Sequence, residues 1–211
     1  MMPLAPGLHL YPGWLDRAAQ EALRDEVEKI IRAAPLFQPR MPRTGRAFSV
    51  RMSNCGVLGW VSDAAGGYRY QATHPDTGRA WPAMPDIALR AWRELGGYGL
   101  VPEACLINFY EDTAKMGLHQ DRDERDFAAP VVSLSLGDTC LFRIGGVDRK
   151  APTGSFRLES GDVLVLAGPA RLAFHGVDRI FPQSSTLLAH GGRINLTLRR
   201  VSSLQIGRAH V

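Results

Sequence analysis

The sequence predicts a mainly β fold, a sandwich or jelly-roll core of short strands with helices flanking it. Three observations carry this. Helical periodicity is confined to two segments before Gly96; from Ala104 onward apolar and polar residues alternate in short runs; and turn signals such as Gly145-Gly146 and Ser160-Gly161-Asp162 separate those runs. With 211 residues, 45% of them hydrophobic and 22% charged, the chain is too apolar for a disordered polymer. Its longest apolar run, Val163 to Ala167, is strand-sized, far from the roughly 20 residues of a membrane helix. Met1 to Pro12 lacks the basic and apolar regions of a secretory signal. Cys55, Cys105 and Cys140 are far apart, which excludes a disulfide scaffold or a cysteine zinc site. A cytoplasmic protein with no membrane partner is expected.

Taken in order, the first element is a helix from about Asp16 to Ala34, where Leu15, Ala19, Leu23, Val27, Ile30 and Ile31 recur at helical spacing, Asp16 caps and Pro35 stops. Pro39, Pro42 and Gly45 break structure, and Phe48 to Val61 predicts one or two short strands. Gly66-Gly67 and the stretch from Pro75 to Pro85 read as loops. A second helix is predicted over Asp86 to Leu95, with Ala88, Ala91, Trp92 and Leu95 on one stripe. Seven strands follow: 104–110, 131–136, 140–144, 155–158, 162–167, 172–175 and 192–201. With no linker and no internal repeat, one domain is expected over 1–201. Residues 202–211 have no periodicity, and their end can be read as translated adapter DNA, so a non-native tail is expected.

The formal net charge of +4 is unevenly spread. Arg40, Arg43, Arg46 and Arg51 fall between Pro35 and Ser62 with no acidic residue among them. Such a basic segment suits an anionic partner such as nucleic acid, although a solvated loop would look the same on charge alone.

Two imidazoles and one carboxylate are the donor set a ferrous ion needs for oxygen chemistry, because they hold one face of an octahedron and leave three positions open. His119-Gln120-Asp121 offers a histidine and an aspartate at i and i+2, which project to the same side of an extended chain, and His175 supplies a distant third ligand. Alone this is weak: composition predicts about 0.4 His-x-Asp matches by chance. The last strand sharpens it. Arg193, Asn195, Thr197 and Arg199 share one face, while Ile194, Leu196 and Leu198 share the other. The polar face is either solvent-exposed, as on an ordinary edge, or lines a barrel cavity in which the two arginines clamp both ends of a dicarboxylate. Asn108 and Tyr110 share a face of strand 104–110 and would complete the donors around that ligand.

His119-x-Asp121 with distal His175, then Arg193-x-Asn195-x-x-x-Arg199, preceded by Asn108-x-Tyr110, resembles the AlkB family of Fe(II)- and 2-oxoglutarate-dependent dioxygenases. All three motifs in order would arise by chance about once in a thousand such chains. Asn54 to Trp60, Trp81 to Pro85 and Ala104 to Asn108 extend the resemblance, toward its bacterial DNA-repair members, over most of the chain from Pro35 to Arg199.

The resemblance implies a double-stranded β-helix core over about 104–201 and a nucleotide-recognition lid over about 38–73. His119, Asp121 and His175 would bind Fe(II). Arg193, helped by Tyr110 and Asn195, would take the distal carboxylate of 2-oxoglutarate, and Arg199 with Asn108 the carboxylate chelated to iron. Trp60 would stack on a flipped-out methylated base with His119 on its other face; Tyr68 would meet the backbone phosphate and Asp123 the exocyclic amine. Asp123 also belongs to the mixed-charge run Asp121 to Asp126, which is ordinarily a solvated loop. The implied reaction is O2-dependent oxidative demethylation of N-alkylated bases in DNA, single- or double-stranded, or in RNA, by a monomer. The alternatives are a 2-oxoglutarate oxygenase acting on a protein or small molecule, and a noncatalytic jelly-roll binding module. One departure is that Gly154 and Ser155 stand where the bacterial members carry basic residues near the substrate groove, with Arg157 shifted by two.

Overall fold

Helix α1 (Arg17–Ala33) begins where the Asp16 carboxylate accepts from the Ala19 N–H at 2.8 Å and buries Leu23, Val27 and Ile30. Helix α2 (Asp86–Leu95) buries Ala88, Ala91 and Trp92. Both match the helices predicted from periodicity. The computed structural model describes residues 2–203, with side chains from Ala5 onward. The expected tail therefore lies outside the described residues from position 204.

The strands are β1 (Met2–Ala5), β2 (Leu8–Tyr11), β3 (Arg51–Gly56), β4 (Gly59–Asp63), β5 (Gly67–Gln71), β6 (Ala104–Tyr110), β7 (Met116–His119), β8 (Val131–Gly137), β9 (Thr139–Ile144), β10 (Gly154–Leu158), β11 (Val163–Leu166), β12 (His175–Phe181) and β13 (Arg193–Arg199). Seven form an antiparallel sheet in the order β1-β2-β11-β8-β13-β6-β3, and four form a second in the order β10-β9-β12-β7. This is the expected jelly roll, and its two cores follow from strand alternation. Leu8, Leu106, Phe142, Leu164 and Val177 point between the sheets. Cys105, Ile107, Leu134, Leu136, Leu196 and Leu198 point outward and pack with Leu23, Val27 and Trp92 of the helices. The two-sided burial of β13 decides its polar face: it points inward.

β4 and β5 make a separate two-stranded hairpin, turning at Ala64 to Gly66. Phe48 to Val61 thus holds two strands, β3 and the start of β4, as anticipated. Four strands were not foreseen. β1 and β2 extend the large sheet through β11, β5 completes the hairpin, and β7 is only four residues long with Gly117 inside it. The predicted strand 172–175 is corrected. Gly168 to Ala170 form a 3-10 turn, and His175 begins β12 instead of ending a strand. A register shift between Val177 and Arg179 breaks the alternation on β12, which is why the pattern did not reveal it.

Among the described residues, no helix is long and apolar enough to cross a membrane.

Candidate active site

His119 ends β7 and His175 begins β12, and the two are direct cross-strand partners with ring centroids 4.5 Å apart. β7 can approach this closely because residue 176 is glycine; a Cβ there would run into the Met116 carbonyl. Each imidazole is oriented from behind. Nδ1–H of His119 donates to the Gly117 carbonyl and Nδ1–H of His175 to the Ala173 carbonyl, both at 2.9 Å. Since a carbonyl only accepts, both rings carry their proton on Nδ1 and leave the Nε2 lone pair free. Burial lowers the His175 pKa from 6.5 to about 4, keeping it neutral against the pull of Asp121.

Asp121 completes the set, its oxygens 3.6 Å from Nε2 of His119 and 3.7 Å from Nε2 of His175. The three donor groups lie within 4.8 Å of one another. Burial would raise the Asp121 pKa, but the charge of Arg199 outweighs it and holds the carboxyl well below its usual range. The loop is pinned from both sides. Gln120 Nε2 donates to the carbonyls of Leu172 (2.6 Å) and Val147 (3.2 Å), and Arg171 donates to the Asp121 carbonyl at 2.7 Å. Two imidazoles with Nε2 turned toward an ionised carboxylate, the donor groups within 4.8 Å of one another, fit a ferrous ion.

The β6–β13 register sets Arg193 opposite Tyr110 and Asn195 opposite Asn108. These residues, Arg199 and the three candidate ligands all line one cavity of about 1100 Å³. Arg193 is 1% exposed, and its guanidinium donates to Ser135 Oγ at 2.7 Å and to the carbonyls of Asp138 and Leu158. Nε of Arg193, Nε of Arg199 and Oδ1 of Asn108 are buried with no hydrogen-bond partner among the described residues. Buried polar groups are costly when left unpaired, so two free guanidinium donors in one cavity fit a dicarboxylate such as 2-oxoglutarate. Burial raises the Tyr110 pKa far above 10, so its phenol remains a donor. Asn195 lines the cavity as well; its amide donates to Ser133 Oγ and the Leu134 carbonyl, and its oxygen accepts from Thr197.

Arg199 belongs to a buried network. It contacts Asp121 Oδ1 at 2.7 Å and Glu124 Oε1 at 3.1 Å, and Arg171 holds Glu124 Oε2 at 3.1 Å. The Tyr70 hydroxyl, from the hairpin, donates to Glu124 Oε1 in a short hydrogen bond and accepts from Arg199 at 3.1 Å. Sequence patterning missed Tyr70, Glu124 and Arg171. The run Asp121 to Asp126 is not a solvated loop, because Asp121, Glu124 and Asp126 are all buried. No periodic signal marked Glu124, because the segment from Asp121 to Asp126 is irregular.

Trp60, Tyr68 and Asp123 also reach the cavity. Trp60 is 8% exposed, its ring stacked on Tyr68 at 5.6 Å and 20°, and its indole N–H donates to Asp123 Oδ2 at 2.8 Å. Of the four arginines between Pro35 and Ser62, only Arg46 lines the cavity; Arg51 pairs with Glu111 at 2.8 Å. Lys115, Arg122 and Arg149 line it from the other side, and none of the three, nor Arg46, has a carboxylate within 4.0 Å among the described residues. Arg157 lies outside the cavity, over the Phe181 ring at 4.7 Å.

Residues 7–199 match the 2OG-Fe(II) oxygenase superfamily. The chain is 56% identical over 199 residues to the alpha-ketoglutarate-dependent dioxygenase AlkB homolog of Caulobacter vibrioides, covering 94% of this chain and 90% of that one. To the alpha-ketoglutarate-dependent dioxygenase AlkB of Escherichia coli K12 it is 39% identical over 202 residues, covering 94% and 92%. The solved structure of OsALKBH1 superposes with a TM-score of 0.79 at 32% identity, covering 94% of this chain and 99% of that one. The converging His-Asp-His donors, the paired arginines and these likenesses agree: the chain belongs to the 2OG-Fe(II) oxygenase superfamily and, within it, to the AlkB family of alpha-ketoglutarate-dependent dioxygenases.

Proposed function

We propose that this dioxygenase removes N-linked methyl groups from bases of the N1-methyladenine and N3-methylcytosine type in DNA, or in RNA. The observation that carries the reading is the stacked aromatic pair Trp60 and Tyr68, lining the same cavity as the His119, Asp121 and His175 donors together with Arg46, Lys115, Arg122 and Arg149, none of which has a carboxylate within 4.0 Å among the described residues. A methyl group on a base-pairing edge is inside the duplex, so the base must leave the stack, and an aromatic face recovers part of the unstacking cost.

His119, Asp121 and His175 would hold Fe(II). Arg193 with Tyr110 would hold one carboxylate of 2-oxoglutarate, and Arg199 with Asn108 the other; Asn195 steadies the wall between them. When bound, iron, 2-oxoglutarate and O2 supply the oxidation of the N-methyl carbon, with succinate, CO2 and finally formaldehyde as products. The chain's own residues do the positioning. Residues of about 38–73 form the lid: Trp60 offers its face, Asp123 holds the indole and meets the base's exocyclic amine, and Tyr68 swings toward a phosphate. The core of about 104–201 holds the metal and co-substrate. Three free buried thiols suit a cytoplasmic setting.

The test is anaerobic reconstitution with Fe(II) and 2-oxoglutarate, then aerobic incubation with methylated single-stranded, double-stranded and RNA oligonucleotides, reading base mass and formaldehyde. Loss of 14 mass units as about one equivalent of formaldehyde appears supports the reading. Steady succinate formation with every oligonucleotide left methylated would overturn it in favour of a protein or small-molecule substrate.

A further inference from the structure

On β5 the Gln71 carbonyl accepts from the indole of buried Trp81 at 2.9 Å, and one side chain, Tyr70, hydrogen-bonds into the β core. Arg69 bonds within the hairpin, to Asp63, Gln71 and the Gly67 carbonyl; Gln71 reaches the neighbouring Thr73 carbonyl; Tyr68 is 51% exposed. Tyr70 alone on this strand sends a polar group into the β core. Its hydroxyl lies between Glu124 and Arg199, donating to the first and accepting from the second.

Those two contacts use both hydrogen-bonding faces that hydroxyl offers, and they fix the guanidinium of Arg199. Nη1 is committed to Tyr70 and Glu124, Nη2 to Asp121, and Nε is left buried and unpartnered. A planar fork held at Nη1 and Nη2 cannot rotate, so the direction of Nε is set by its neighbours. Glu124 is in turn held from its far oxygen by Arg171, which also grips the Asp121 and Ala129 carbonyls. The lid hairpin and the co-substrate pocket thus share a hydrogen-bonded chain, Tyr70 to Glu124 and Arg199 to Asp121.

We propose that Tyr70 is a positioning residue that couples the two: its hydroxyl holds Arg199 in the orientation that receives 2-oxoglutarate, and filling of that site in turn holds the hairpin down. The coupling is reciprocal by linkage, so the lid responds to co-substrate and the pocket responds to the lid. This rests on the reading of residues 38–73 as the substrate lid, but it concerns the lid's attachment and needs no nucleic acid to be seen.

Tyr70→Phe removes the hydroxyl and keeps the ring. Tyr98→Phe is the control: it removes a half-buried hydroxyl that donates to a carboxylate, Asp126, at 2.6 Å outside the relay. Each Fe(II)-loaded protein is kept anaerobic, titrated with 2-oxoglutarate by calorimetry, and followed by hydrogen exchange in peptides covering 59–71. In the wild type and in Tyr98→Phe, 2-oxoglutarate should slow exchange in the hairpin. In Tyr70→Phe it should bind at least roughly fivefold more weakly, the low end of usual couplings, and at saturation should slow exchange in β6 and β13 but not in the hairpin. The proposal falls if the wild-type hairpin ignores 2-oxoglutarate, if Tyr70→Phe keeps wild-type affinity and hairpin protection, or if Tyr98→Phe loses both equally. Coupling seen in the wild type and lost in Tyr70→Phe, with no methylated oligonucleotide processed, would leave the relay standing and overturn only the substrate assignment.

Discussion

Asp121 and Arg199 form a buried ion pair, Oδ1 to Nη2 2.7 Å apart, where the metal donors meet the co-substrate pocket. The carboxylate that completes the ligand set is therefore ionised before any metal arrives. His119→Ala, Asp121→Ala and His175→Ala should each abolish succinate formation and iron retention, since two remaining donors hold ferrous iron poorly. His190→Ala, at an exposed site, should leave both unchanged. Near-normal succinate production by any of the three ligand variants would refute the triad.

Arg193 lines the cavity, its Nε is buried without a hydrogen-bond partner, and it has no carboxylate within 4.0 Å among the described residues. Arg193→Met keeps the volume and removes the charge. It should raise the 2-oxoglutarate requirement by a hundredfold or more, the equivalent of roughly 3–5 kcal/mol for unpairing a buried charge. Saturation at the wild-type concentration would mean that this face of β13 does not bind the co-substrate.

Among the described residues Trp60 has no hydrogen bond or ring contact to the metal donors or the paired arginines. Trp60→Ala should weaken methylated oligonucleotides by roughly 1–3 kcal/mol, the usual range for base–aromatic stacking, and spare the slow 2-oxoglutarate turnover that runs without substrate. Asp123→Ala should lose part of the same binding because the indole loses its only polar anchor. Wild-type repair by Trp60→Ala would leave the oxygenase and remove the flipped base.

Salt dependence separates rim charges from paired ones. Replacing Lys115, Arg122 or Arg149 with alanine should weaken methylated and unmethylated oligonucleotides alike and flatten the log–log salt slope by about one per lost phosphate contact. Arg51→Ala should change neither, because Glu111 already engages that side chain. Equal effects from all four would show a diffuse field instead of discrete contacts.

His175 also leaves a pH signature in chelator-treated protein. Above pH 6.5 its ring is neutral whether folded or not. Between about pH 6.5 and 4 the unfolded chain binds a proton that the buried folded ring refuses, so stability should fall as pH falls through that window. Denaturant titrations at several pH values would measure it, and His175→Gln should reduce the slope. An unchanged slope in that variant would place its origin elsewhere.

Period-two alternation from Ala104 onward, the His-x-Asp pair and the polar face of the last strand were readable from the chain itself, because strand geometry sends alternate residues to opposite sides whatever the neighbours are. The same rule made Asn108 and Tyr110 visible on their strand, and helical periodicity placed both helices. Alternation cannot say which side is inward, however. Only the packing of Leu196 and Leu198 under the helices turns Arg193 and Arg199 toward the cavity instead of water. Register was equally invisible: that His119 faces His175 depends on a four-residue strand and on Gly176 admitting it. Glu124, Arg171 and Tyr70 come from three segments with no shared spacing. Their charges and hydroxyl can be buried only by satisfying one another, and that condition exists only once the hairpin, the loop after β7 and the turn before β12 are folded together.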